Sequence, residues 1–415
     1  MVRRPWLAMT ALLVSVFASE ATAQTDPALV RARRILKASP LIDGHNDLPI
    51  VIREDAKAPG DVAAYDLRTH TTGDTDLERL RQGQVGAQFW SVYIPGEIKD
   101  SGYAKVQLEQ IDIARRVIER YPEALKLATS ADEVTAAFRE GKIGSLLGME
   151  GGHAIENSLG ALRAYYRLGV RYMTLTHNVT LDWADAAMDA PRHNGLTTFG
   201  KEVVREMNRL GMIVDISHVT TKVMHDVLDI AESPVMFSHS SAKALTNHPR
   251  NVPDDVLRRL AKNGGVVMVT FIPAFVSQPV ADWDLQVHAV TKGNPSLSGV
   301  TRMRDEYAKT HPRPVATLKD VADHIDHVRK TAGVDHLGIG SDFYGSADMP
   351  KGLEDVSRFP YLFAELIKRG WTDADLAKLA GGNILRVLRT VEVNAGRIQK
   401  LRPPSTATFE RIGSR

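Results

Sequence analysis

Eight short apolar runs punctuate the chain: Leu41–Asp47, Val85–Ile94, Ile143–Glu150, Val170–His177, Met212–His218, Pro234–His239, Gly265–Phe271 and His336–Asp342. Several are apolar almost throughout, the pattern of parallel strands buried on both faces. Between them lie stretches with helical periodicity: Ala104–Arg120, Gly200–Leu210, Lys222–Ile230, Pro253–Ala261 and Leu318–Thr331. Several open beside Ser, Thr or Asp, whose side-chain oxygens accept from the orphan amides of a helix start. Strands and helices in alternation predict an α/β fold, a (β/α)8 barrel of the TIM type. The alternative is an open doubly wound sheet. It is weakened because no strand runs into a Gly-x-Gly-x-x-Gly turn.

Two regions break the repeat. Ile272–Ala316 holds five prolines together with Trp283 and Tyr307. It reads as a long loop, of the kind used for function or for an oligomer contact. Beyond Asp342, the segments Leu353–Arg369, Ala374–Ala380 and Asn383–Val391 read as extra C-terminal helices, and the last dozen residues as a frayed tail. The expected organisation is a signal peptide over 1–23, a single barrel domain over 24–400 and a tail over 401–415.

The signal reading rests on order. Arg3 and Arg4 precede an apolar stretch over 6–18, and Ala21-Thr22-Ala23 follows as a small-residue cleavage pattern. The apolar stretch is well short of the ~20 residues that span a bilayer. A secreted or periplasmic protein with no stable membrane anchor after cleavage is expected. The rest of the composition is ordinary, with 43% hydrophobic and 25% charged residues. A net charge of +2 without runs of one sign gives no reason to expect nucleic acid as a partner. The chain has no cysteine, so disulfides and thiolate ligands are excluded, and any homodimer is non-covalent.

Chemistry enters where the apolar runs stop. The first run contains Asp43, His45 and Asp47 at alternate positions, which on a strand share one face. Others end in Glu150, His177, His218, His239 and Asp342. A (β/α)8 barrel gathers all its strand ends on one rim, where its active sites lie. A single histidine at a strand end is commonly structural, but six polar ends out of eight on one rim form a constellation. Imidazole and carboxylate without thiolate suit zinc or a harder divalent ion. The donors exceed the needs of one catalytic zinc and fit two metals sharing a carboxylate. Such a pair would activate a water held between them.

At these residues the chain resembles the membrane (renal) dipeptidase family of binuclear zinc peptidases. The matching stretches are Asp-Gly-His-Asn-Asp-Leu-Pro (43–49), Gly-Ala-Gln-Phe-Trp-Ser-Val-Tyr (86–93), Met-Glu-Gly-Gly (149–152), Leu-Thr-His-Asn (175–178) and Asp-Ile-Ser-His (215–218). Phe-Ser-His-Ser-Ser (237–241), Arg-Asn-Val-Pro-Asp-Asp (250–255), Gly-Ser-Asp-Phe (340–343) and Gly-Gly-Asn-Ile-Leu-Arg (381–386) follow in order. The resemblance implies a dipeptidase with two Zn2+ per chain. His45 and Asp47 would bind one zinc, and His218 and His239 the other. Glu150 and a water or hydroxide would bridge them. His177 would polarise the scissile carbonyl, Arg250 would hold the substrate carboxylate, and Asp342 would shuttle the proton. It also implies dipeptide substrates, including those with a C-terminal D-residue, and homodimers. Asp43 reads as a residue behind the metal shell that orients a ligand. One departure is visible: Phe275 stands where some family members carry a substrate-binding tyrosine.

Other histidines read as structural. His153 lies past its strand end, His248 shapes the loop before Arg250, and His324 and His327 belong to a helix as surface or packing residues. Two rivals stand beside the dipeptidase reading. One is a related metal amidase or N-acyl-amino-acid hydrolase, although no lysine ends a strand to serve as a carbamylated bridge. The other is a non-catalytic binding protein, which all five retained metal donors argue against.

Overall fold

The apolar runs become strands, and the strands close into a ring. A computed structural model describes residues 26–98, 102–292 and 297–413. The signal-peptide segment lies outside the described residues. The strands are β1 (Leu41–Asn46), β2 (Val85–Ser91), β3 (Leu125–Leu127), β4 (Ile143–Glu150), β5 (Val170–Thr174), β6 (Ile213–Asp215), β7 (Met236–Ser240), β8 (Val266–Val269) and β9 (Leu337–Ile339). All pairings are parallel, in the order β2-β1-β9-β8-β7-β6-β5-β4-β3. An additional β2–β4 pairing, with Phe89 opposite Leu146, closes the barrel. Closure rules out the open sheet. β3 stays outside the ring, paired only to the start of β4.

Helices cover the outside, and their starts follow the capping chemistry. Ser130, Ser158, Thr197 and Thr220 each accept a backbone N–H of the following helix. Thr317 and Asp320 form a reciprocal capping box on Leu318–Ala332. Two apolar layers result. Ile42, Phe89, Leu146, Ile213, Met236 and Val266 fill the interior, together with Ile384, Val387 and Val391 of the helix Asn383–Leu401. That helix covers the end of the barrel where the strands begin. Asn383 donates to the carbonyls of Val334 and Leu337, both 2.8 Å away, just before and at the start of β9.

Two expectations change. Ile272–Ala316 is not a loop: it folds as helices Pro273–Val276, Gln278–Thr291 and Leu297–Thr310. Its prolines include Pro273 and Pro279, which sit in first helical turns, where no amide donor is lost. The tail is not frayed within the described residues, because Phe409 packs edge-on against Phe199 at 5.5 Å. Among the described residues no helix is long and apolar enough to cross a membrane.

Candidate metal centre

The rim of the barrel gathers side chains from widely separated strands. His45 lies on β1. Asp47 sits just past it, at the start of the short helix Leu48–Arg53. The even alternation expected for Asp43, His45 and Asp47 therefore ends at Asn46. Glu150 is the last residue of β4, and His239 lies on β7. His177, His218 and Asp342 follow β5, β6 and β9 by three residues each. His218 and Asp342 hold left-handed backbone angles, φ 65° and 64°. Such conformations are costly for residues with side chains and concentrate at functional sites.

Glu150 is the centre of the cluster. Its Oε2 lies 3.4 Å from His45 Nε2, and that nitrogen lies 3.4 Å from Asp47 Oδ1. Its Oε1 lies 2.9 Å from His218 Nε2 and 3.3 Å from His239 Nε2. Two donor sets emerge, His45–Asp47–Glu150 and Glu150–His218–His239, with Glu150 in both. A third, His45–His239–Asp342, places Asp342 against the same centre. All of these residues are buried.

The outer partners fix which nitrogen each imidazole offers. Tyr172 donates its hydroxyl to the carbonyl of Gly44 at 3.2 Å, so its oxygen accepts the Nδ1–H of His45 at 2.8 Å. Ser238 donates to Asp215 at 2.5 Å and accepts the Nδ1–H of His239 at 2.8 Å. The Asn178 side-chain oxygen, an acceptor only, takes the Nδ1–H of His218 at 3.2 Å. All three rings therefore turn an Nε2 lone pair inward. The lone pairs of His218 and His239 face each other at 2.9 Å beside a carboxylate oxygen. That arrangement repels itself without a cation. His45 Nε2 and Asp47 Oδ1 are buried and have no hydrogen-bond partner among the described residues. Neutral imidazoles oriented from behind, with carboxylates between them, are the donor set of a divalent metal site.

The electrostatics agree. Burial, with help from nearby cationic groups, holds His218 and His239 well below the usual imidazole pKa, so both stay neutral. Burial opposes a charge on His45, yet Tyr172, Glu150 and Asp47 raise its pKa well above the usual value. That corner of the site calls for positive charge. Burial pushes the Asp342 carboxyl up to about 8; His45 and Arg250 oppose this, and Asp47 and Glu150 add to it. A carboxyl group at this position is placed to take and give a proton.

The centre opens into a cavity of about 360 Å³, at the small end of the roughly 300–1,000 Å³ range for small-molecule sites. Tyr93, His177, Arg250, Phe275 and Asp342 are among its walls, and no lysine is among the described residues that line it. A larger cavity of about 630 Å³, under the tail at Arg402–Ile412, holds none of these groups. His177 packs on His218 at 4.5 Å and on Tyr93 at 4.6 Å. Arg250 is buried, its Nη1 has no partner among the described residues, and burial lowers its pKa to about 10. Its guanidinium lies 5.2 Å from the Phe275 ring.

Several residues at the site were not assigned from sequence. Tyr172, Ser238 and Asn178 orient the imidazoles. Asp215 accepts from Thr174, Ser217 and Ser238, tying β5, β6 and β7 together. Asp43 acts on backbone and not on an imidazole: its carboxylate accepts the backbone N–H of His45. It accepts from Ser341 N and Oγ at 2.7 and 2.6 Å and from Gln88, and so pins the strand end that carries Asp342. His324 takes the packing role, one of the two expected for it: it is buried, accepts from Ala242 N at 3.0 Å and bonds the Val276 carbonyl at 3.2 Å, under the loop that carries Arg250.

A parallel barrel with converging imidazole lone pairs around a shared carboxylate defines a metal-dependent barrel hydrolase. Sequence comparison narrows the class: residues 29–402 match the family described as membrane dipeptidase, peptidase family M19, and the chain belongs to that family of metallo-dipeptidases. Mouse Dipeptidase 3 is 41% identical over 374 residues, covering 89% of this chain and 68% of the mouse protein. The probable dipeptidase PvdM from Pseudomonas aeruginosa has a TM-score of 0.78 at 25% identity, over 88% of this chain and 99% of that one. A metallopeptidase from Rhodobacter sphaeroides, liganded with a phosphinate mimic of L-Ala-D-Ala, has a TM-score of 0.71 at 25% identity, over 85% of this chain and 99% of that one.

Proposed function

We propose that this chain is an exported dipeptidase with two zinc ions, His45 and Asp47 holding one, His218 and His239 the other, and Glu150 both. The observation that carries the reading is the split of Glu150, whose two oxygens face two separate sets of imidazole lone pairs. Zinc bound there supplies a Lewis acid and a water acidic enough to attack near neutral pH.

The remaining steps belong to the protein's own groups. Arg250, buried and with no partner for its Nη1 among the described residues, takes the C-terminal carboxylate of the dipeptide as a charge-assisted pair. His177 meets the carbonyl oxygen as charge develops on it. Asp342 accepts the proton of the attacking water and returns it to the leaving amine. A cavity of about 360 Å³ with an anchor at one end favours short substrates. Acceptance of a C-terminal D-residue is supported by the L-Ala-D-Ala mimic bound to the Rhodobacter relative. Export is supported by the basic, apolar and small-residue order of residues 3–23.

The test is hydrolysis of L-Ala–L-Ala and L-Ala–D-Ala beside their N-acetylated forms, with zinc and then with chelator. Chelator-sensitive cleavage of the free dipeptides alone is expected. Cleavage of the acetylated compounds alone would move the enzyme to the acylase rival.

A further inference from the structure

We propose that the Nε2–H of His248 is a second donor, beside Arg250, to the C-terminal carboxylate of the dipeptide. The inference rests on the reading of Arg250 as the carboxylate anchor and adds a residue to it.

His248 lines the same cavity as Arg250 and Phe275. The backbone N–H of Arg250 donates to its Nδ1 at 3.2 Å. That bond leaves the ring proton on Nε2, at the opposite edge of the imidazole. Nε2 has no partner among the described residues, although His248 is partly buried. Burial, with Arg250 and Lys243 nearby, lowers the His248 pKa to about 4, so the neutral donor form persists at neutral pH.

Position is fixed as well as tautomer. The imidazole packs on Phe275 with ring centroids 4.5 Å apart, and the Arg250 guanidinium lies 5.2 Å from the same phenyl ring. One aromatic platform thus carries both donors. His248 N–H donates to the Thr246 carbonyl at 2.8 Å, and its own carbonyl accepts from Asn251 N at 3.1 Å. Asn251 also donates to the Phe275 carbonyl at 2.8 Å, locking loop and platform together. The substrate explains the need. A carboxylate offers about four acceptor positions, and one guanidinium edge meets two of them. In a narrow cavity, acceptors left without donors lose affinity.

The experiment compares wild type, His248→Phe and His248→Gln on L-Ala–L-Ala and on its C-terminal amide. Phenylalanine keeps the stack and removes the donor; glutamine restores a donor. For the acid, His248→Phe should raise KM about tenfold or more with a smaller change in kcat, as expected when a bond held in both ground and transition state is lost. The amide should show no such rise, and His248→Gln should recover most of the KM. An unchanged KM for the acid in His248→Phe overturns the proposal. So does an equal rise for acid and amide, which would assign His248 a structural role only. If wild type itself does not distinguish acid from amide, the Arg250 anchor fails first, and the two failures are separable. Should His248→Phe not fold, His248→Gln with an acid preference like wild type still supports the donor, and loss of that preference overturns it.

Discussion

Tyr172 stands behind His45 as its proton acceptor: their hydroxyl oxygen and Nδ1 are 2.8 Å apart, deep in the barrel. Metal-bound histidines are commonly oriented by carboxylates or carbonyls, and a phenol is placed to do the same for His45, the proposed ligand, because its own proton is committed to Gly44. Tyr172→Phe should keep the core packing and lose the orientation. Metal affinity is expected to fall about 10- to 100-fold, with one ion lost before the other. Titration with a competing chelator, followed by metal content, checks this. Equal loss of both ions would show that His45 is not oriented separately from His218 and His239.

Removal of metal should destabilise the fold as well as stop catalysis. Converging lone pairs and carboxylates repel one another, and a ligand held only by the folded state stabilises by about 4 kcal/mol at 1,000 times its Kd. Chelated protein should melt at a lower temperature, and added zinc should restore it. A melting temperature indifferent to zinc would count against a structural share for the ions.

Gly345 leaves room for the Asp342 carboxyl. A Cβ there would lie 2.2 Å from Asp342 Oδ1. Gly345→Ala must therefore displace the proposed proton shuttle, and a misplacement of about 1 Å can cost about 100-fold in rate. A fall in kcat near that size, with little change in melting temperature, is expected from steady-state kinetics and calorimetry.

His324 predicts a pH dependence of stability away from the metal centre. Burial lowers its pKa to about 4, below the ordinary 6.5. Between those values the unfolded chain binds the extra proton, so stability is present above pH ~6.5 and is lost as pH falls toward ~4. The loss from this one group is on the order of 3 kcal/mol. Urea unfolding across that range should give a steeper slope for wild type than for His324→Gln, by about one proton. Parallel slopes would remove His324 from the account.

Much of the fold was legible because burial on both faces leaves an unbroken apolar signature. Seven of the eight barrel strands lie within the predicted runs, and β7 reaches one residue past its own, to Ser240. β3 escaped notice because three residues carry too little pattern, and Ile272–Ala316 looked like a loop because prolines at helix starts resemble breakers. At the rim, His45, Glu150, His177, His218, His239 and Asp342 were visible because polar residues at apolar strand ends stand out. Their supports were not. Tyr172 and Ser238 look like core and strand residues in one dimension, and only the register between strands brings them to an imidazole. His324 lies 78 residues from Thr246 along the chain, and helix periodicity says nothing of the loop it holds.

The Asp43–Ser341 pair joins residues 298 apart in sequence. β1 is among the first strands to leave the ribosome, and it gains β9 as its neighbour only when nearly the whole chain exists. Until then its edge is open, with unpaired amides and carbonyls, and invites pairing with other chains. The same seam brings His45 to Asp342. A chain cut short before β9 would thus be both inactive and prone to aggregate, so a single late event delivers solubility and catalytic competence together.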